Sequence, residues 1–298
     1  MKYENDLISI FLEEKQYGQG LRESSLKAYN TAFNHLLSSE ILDINDFSTF
    51  TTSNAKRFLY SLSSRYNWSS HCHNRIKKNM TVFCKWLVTE KIIKENPFEN
   101  VPLRILPKKL PKGFTPEQIE NMRYSIHRLY PDDSFFHMRA KAIFYTYLYT
   151  GLRLYELINL KKTDINFLDS MISVNDGKGQ KDRKIPLLRS LVPILEQYEK
   201  ARENEVPDAL NFFPTAFGGT LQHREIYGIV KRLKMTLNFN ITPHMFRHTF
   251  ATELAKKNLN LWNISQILGH TNINTTKIYL SFQCADVGRQ IDALDMYK

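Results

Sequence analysis

The stretch from Asn96 to Pro111 constrains this chain more than any other. Pro97, Pro102, Pro107 and Pro111 recur there. Each lacks a backbone donor and fixes its own φ, so no helix can run through the segment. Such a connector suits two domains on either side of it, or an ordinary exposed hinge, and a length of 298 residues suits two domains of ordinary size. Arg104, Lys108, Lys109 and Lys112 make the segment basic, with no acidic neighbour after Glu99. The expected division is a helical part over 1–100, a basic Pro-rich linker over 101–113, and a second part over 114–298 that includes a C-terminal tail.

Before the connector the apolar residues recur at helical spacing. Leu26, Tyr29, Phe33, Leu36 and Leu37 share one face, and Ser24 and Ser25 stand where a cap belongs. Ala55, Phe58, Leu59 and Leu62 predict a shorter helix opened by Thr52 or Ser53, and Leu7, Ile10 and Phe11 predict the first one. Ile76, Met80, Phe83 and Leu87 form the stripe of a fourth helix, with Arg75, Lys77, Lys78 and Lys85 mostly off that face. This is a four-helix unit. Its basic face is either an ordinary solvated surface or a phosphate-contacting one.

After the connector, Thr115 and Pro116 signal a helix start, and a longer helix around Ala140–Tyr149 ends at Thr150-Gly151. Met171–Val174 and Lys184–Leu187 flank Asn175-Asp176-Gly177-Lys178-Gly179, a strand–turn–strand pattern. The remainder reads as helix, without internal repeat or low-complexity tract.

Hydrophobic residues make up 42% and charged residues 24%, enough to build ordinary cores, so disorder is excluded as the default state. The formal net charge of +11 points to a polyanionic partner, since cations that neutralise phosphates release condensed counterions. Cys72, Cys84 and Cys284 cannot form a complete disulfide framework and match no zinc spacing. His71-Cys72-His73 is no better as a metal cluster, because adjacent side chains on a helix point apart. Met1 to Asp6 hold no apolar signal core, and no run approaches the ~18 apolar residues that span a bilayer. The cytoplasm is the expected compartment, with no membrane partner.

The most informative stretch runs from Thr242 to Tyr279. Thr242-Pro243 opens a helix, placing His244 and Arg247 three apart near a start where free N–H groups and the dipole favour an anion. Phe246, Phe250 and Leu254 supply its apolar stripe. A following helix carrying Leu261, Ile264, Ile267 and Leu268 ends at Gly269, so His270 is displayed just past its C-terminus. Taken singly these residues have plain structural readings; Arg153, for example, can simply pair with Glu156 three residues on.

Together they form ordered words: Thr150-Gly151-Leu152-Arg153-Leu154-Tyr155-Glu156-Leu157, Gly177-Lys178-Gly179 running on to Arg183-Lys184-Ile185-Pro186-Leu187, Thr242-Pro243-His244-Met245-Phe246-Arg247-His248-Thr249, Leu268-Gly269-His270, and Thr275-Thr276-Lys277-Ile278-Tyr279. In these words the chain resembles the tyrosine recombinase (phage integrase) family, and in length and layout its Xer members. The resemblance implies a mainly α fold with a small β-sheet: an N-terminal four-helix core-binding domain of SAM-like fold plus a mixed α/β catalytic domain, forming a clamp around DNA. It implies Arg153, Lys178, His244, Arg247 and His270 as the active-site set, with Tyr279 as nucleophile. Arg75, Lys77, Lys78, Lys85, Lys108, Lys109 and Lys112 are the candidate phosphate contacts. The partner implied is double-stranded DNA with specific recombination sites, held by a homo-tetramer on two such sites. A partner recombinase or accessory protein is compatible with this. The sequence leaves no room for the extra arm-binding domain of some integrases.

The chemistry suits those residue types. Attack on a phosphodiester builds charge on its nonbridging oxygens, which the planar forks of Arg153 and Arg247 can meet, with His270 adding a donor. The Tyr279 phenol has to lose a proton, for which His244 is the candidate base, and the departing sugar oxygen needs one, for which Lys178 is the candidate acid. A tyrosyl ester conserves the energy of the broken bond, so no cofactor and no metal are expected, in keeping with a sequence without a P-loop. A type IB topoisomerase-like nicking-closing enzyme shares the chemistry, and a catalytically inactive DNA-binding regulator shares the fold. Val287, Ile291, Leu294 and Met296 have helical spacing, and the tail they form has two placements open to it, its own core or a neighbouring protomer.

Overall fold

The computed structural model describes residues 6–21, 23–106, 112–175 and 182–270, together with Thr276 and Ile278. The chain divides into two compact units, Met1–Lys108 and Lys109–Lys298. Among the described residues it is mainly helical with one small sheet.

The first unit is built from α1 (Asp6–Glu13), α2 (Glu23–Leu37), α3 (Thr52–Arg65) and α4 (Ser70–Thr89). Thr51 caps α3 by accepting from the Asn54 amide, and Ser69 caps α4 through the Cys72 amide. The core gathers Ile8, Phe11, Phe33, Phe58, Met80, Phe83, Leu87 and Phe98, all fully buried. Phe11 meets Phe33 and Phe83 edge-on, with ring centres 5.7 and 5.2 Å apart.

Several local expectations change here, among them the opener of α3, which is Thr51 rather than Thr52 or Ser53. α2 already begins at Glu23, so Ser24 and Ser25 lie inside its first turn rather than ahead of it. Ile10 and Leu37 face solvent, while Ile8 and Ala32, outside the expected stripes, are buried. One face of a short amphipathic helix is a narrow arc, and packing selects which flanking residue joins it. His73, from the His-Cys-His run, is buried with its Nδ1 2.8 Å from the Ser63 hydroxyl.

The second unit holds α5 (Pro116–Leu129), α6 (Phe135–Thr150), α7 (Leu154–Ile158), α8 (Val192–Glu205), α9 (His223–Thr236), α10 (Pro243–Lys256) and α11 (Leu261–Leu268). Its antiparallel sheet has the order β1 (Ile165–Asn166), β2 (Met171–Val174), β3 (Arg183–Pro186). Thr115 and Gln118 complete a reciprocal capping box, with Pro116 in the first turn of α5. α6 begins five residues before the expected Ala140 and is buried nearly all round, so no polar face announced its start. β1 is too short to carry a period. Ile172 and Ile185 pair across β2 and β3, and both are fully buried.

α10 also departs from its expected stripe. Phe246 and Phe250 are buried, but so are Arg247, Thr249, Ala251, Thr252 and Ala255, while Leu254 is only partly covered. Thr242 occupies the cap position without a side-chain cap bond. Thr249 instead receives the Phe114 amide at 2.8 Å, tying the start of the unit to α10.

Candidate active site

A helix leaves its last four carbonyls without intrahelical donors, and at the end of α11 each of them is accounted for. Gly269 stops the helix in the left-handed region at φ 66°. Its amide donates to the Gln266 carbonyl and the His270 amide to the Ser265 carbonyl, both at 3.0 Å. These are the paired bonds of a Schellman end. The next carbonyls take arginine donors. Arg183 Nε donates to Ile267 at 2.8 Å, Arg247 Nη2 to Leu268 at 2.6 Å, and Arg153 Nη2 to Gly269 at 2.7 Å. Three guanidinium groups, from β3, from α10 and from the cap position of α7, thus meet at the negative end of one helix dipole.

Glu156 joins two of them. Its Oε1 accepts from Arg153 Nη1 at 2.7 Å and Arg183 Nη1 at 2.9 Å, and its Oε2 from the Arg153 amide at 2.7 Å and Arg183 Nη2 at 2.8 Å. Burial alone would raise this carboxyl, but the bonds and charge of Arg183, and then of Arg153, hold it at about 2. It is ionised at any working pH. Among the described residues, three arginines against this one carboxylate leave a local charge of +2.

Arg247 is buried, and its Nη1 donates to the Gly151 carbonyl at 2.8 Å. Gly151 caps α6 at φ 62°, and a Cβ there would sit 2.7 Å from Cδ1 of Phe250. The turn before Arg153 therefore rests directly on α10, which only glycine permits.

His270 leaves α11 next to these groups, and its Nδ1 lies 2.7 Å from Oγ1 of the fully buried Thr276. Burial first, then the charges of Arg247, Arg153 and Arg183, push its pKa down to about 4. His248 is also lowered, by burial and then by His244 and Arg247. The ring of His270 is therefore neutral at pH 7, with one nitrogen donating and the other accepting. A cationic pocket with a neutral imidazole at its edge is suited to an anion that gains charge during a reaction.

The structure brings Arg153, Arg247 and His270 together. His244 is exposed in the first turn of α10, one turn before His248. Lys178 and Tyr279 lie outside the described residues.

On α4, Arg75, Lys78 and Lys85 are exposed, whereas Lys77 is buried. Lys77 was expected off the apolar face, but that face is wider than the stripe of Ile76, Met80, Phe83 and Leu87. It also takes in His73 and Cys84, four residues before and seven after Lys77. A lysine can join such an arc because its stem is apolar. Lys112 is exposed, and Lys108 and Lys109 lie outside the described residues.

A model of the phage integrase family matches residues 113–284, more than half of the chain. The chain belongs to the phage integrase family. Its relatives are tyrosine recombinases, enzymes that break and rejoin DNA, and this chain is one of them. It is 29% identical to a tyrosine recombinase of Agathobacter rectalis over 91% of this chain and 90% of that protein. It is 31% identical to tyrosine recombinase XerC of Chlamydia caviae over 78% of this chain and 74% of that one. In fold it is similar to the XerH site-specific recombinase bound to palindromic difH substrate, with a TM-score of 0.75, 19% identity, and coverage of 97% of this chain and 84% of that one.

Within this tyrosine recombinase, the pairing of Glu156 with Arg153 holds, and three further residues of the site are not singled out in the sequence: Arg183, His248 and Thr276. Glu156 had a signal in its spacing from Arg153, and His248 in its spacing from His244. Arg183 stands two residues before the core residue Ile185 on β3 and so shares its inward face. Nothing in the sequence separates Thr276 from Thr275.

Proposed function

We propose that this tyrosine recombinase carries out site-specific recombination, exchanging DNA strands through a 3′-phosphotyrosyl intermediate and a Holliday junction. The observation that carries the reading is the convergence of Arg153, Arg247 and His270 on one turn, in a pocket of net charge +2. Arg153 and Arg247 stabilise the nonbridging oxygens as charge builds there, and His270 adds a donor. Tyr279 attacks phosphorus and passes its proton to His244. The bond from phosphorus to the 5′ oxygen breaks, and that oxygen takes a proton from Lys178. Reversal with a second strand's 5′-hydroxyl restores the phosphodiester and the enzyme, so the cycle needs no external energy source.

Exposed Arg75, Lys78, Lys85 and Lys112, together with Lys108 and Lys109, contact phosphates. Four protomers hold two sites. The enzyme works in the cytoplasm, and no helix among the described residues is long and apolar enough to cross a membrane.

The test is trapping on a nicked duplex that carries a sequence recovered by the protein from a random library. A covalent adduct formed in EDTA without ATP by the native chain, and not by Tyr279→Phe, is expected. No adduct on DNA that the protein binds would overturn the reading. Junctions formed between two such sites separate recombination from nicking and closing.

A further inference from the structure

Arg183 has no place in the chemistry above, yet it is among the best-held side chains in the site. Its side chain is 7% exposed. It forms a two-pronged pair with Glu156 and donates its third nitrogen to the Ile267 carbonyl. Glu156 in turn holds Arg153 by the guanidinium and by the backbone amide. Gly269, whose carbonyl receives Arg153, packs directly on the Arg183 guanidinium.

We propose that Arg183 is a positioning residue for Arg153, acting through Glu156 and through the end of α11. The inference rests on the recombinase reading for its consequence in catalysis, though not for its geometry. Glu156 is a buried carboxylate with four donors, two of them from Arg183. With Arg183 removed, half of those donors are lost, and the carboxylate turns toward the remaining arginine or toward water. Either movement carries the Arg153 fork away from the Gly269 carbonyl and from the geometry that meets a phosphate. A lysine at 183 keeps the charge but cannot span both carboxylate oxygens and the Ile267 carbonyl at once.

The experiment compares Arg183→Gln, Arg183→Lys, Glu156→Gln and the double variant Glu156→Gln/Arg183→Gln in the full chain. One readout is single-turnover cleavage of the nicked duplex recovered by the native protein. Arg183→Gln is expected to cleave about 10²-fold more slowly at saturating DNA, with DNA affinity within about twofold of native. Arg183→Lys is expected to be impaired as well. The double variant is expected to be no slower than the slower single variant, because residues acting as one unit are not additive. Native-rate cleavage by folded Arg183→Gln, or losses that multiply in the double variant, would overturn the proposal.

A second readout needs no DNA: solvent exchange of the Arg153 Nε proton, followed by nitrogen-15 NMR and assigned with Arg153→Lys. Exchange is expected to quicken at least tenfold in Arg183→Gln, and an unchanged rate would overturn the proposal. If the native chain forms no adduct, the recombinase reading fails while the exchange measurement still decides the role of Arg183. Should Arg183→Gln not fold, Arg183→Lys carries both readouts.

Discussion

A Cβ added to Gly269 would lie 2.9 Å from Nη1 of Arg183 and 3.0 Å from its Cδ. The left-handed turn that ends α11 and the guanidinium packed against it therefore depend on one another. Gly269→Ala is expected to destabilise the chain by roughly 1–2 kcal/mol from the backbone conformation alone, with a further loss as Arg183 is displaced. Chemical denaturation measures this, and an unchanged midpoint would contradict the packing.

Removing the carboxylate should cost more. Glu156→Ala leaves Arg183, 7% exposed, without the partner for two of its nitrogens. Breaking one side of a buried pair costs about 3–5 kcal/mol. A loss below about 1 kcal/mol in equilibrium unfolding would mean that water replaces the carboxylate without strain.

Stability should fall on the acid side, and the sign follows from two groups. The folded His270 resists protonation down to about 4, whereas an ordinary histidine titrates near 6.5. The unfolded chain therefore binds more protons in that window, and unfolding becomes easier as pH falls through it. Glu156 adds the same sign lower down, because its unfolded carboxylate protonates near 4.5 and its folded one only near 2. Unfolding measured from about pH 7 to pH 4 should show a shallower dependence in His270→Asn than in the native chain. Equal slopes would refute the environment assigned to His270.

Thr276 fixes the imidazole through its hydroxyl. When that hydroxyl donates to Nδ1, the proton of the neutral ring is on Nε2. Thr276→Val should slow cleavage about fivefold, the value of one hydrogen bond of roughly 1 kcal/mol, while Thr276→Ser stays close to native. A valine variant with the native rate and the native pH profile would remove Thr276 from the site.

Lys78 and Lys77 are neighbours on α4 with opposite burial. Lys78→Ala should weaken DNA binding regardless of sequence and reduce the slope of log affinity against log salt by about 1. Lys77→Met should leave that slope unchanged. The reverse result would restore Lys77 as a phosphate contact and displace Lys78.

The sequence by itself determined the pieces whose cause is local. Prolines forbid a helix across the connector, Thr115-Pro116 starts α5, glycines end α6 and α11, and ordered words carry the family resemblance along with Arg153, His244, Arg247 and His270. Each of these depends on a residue's own backbone preference or on neighbours within a turn or two. Tertiary structure decided the rest. Arg153, Arg183 and Arg247 donate to three successive carbonyls across gaps of 116, 84 and 21 residues. Whether an arginine is buried against a carbonyl or left in water depends on which distant backbone arrives beside it, and no local pattern encodes that. The same holds for Lys77, whose burial follows from the width of the arc that the neighbouring helices cover. Glu156 shows both sides: its spacing from Arg153 was readable, but its strongly depressed pKa arises from a second arginine 27 residues away.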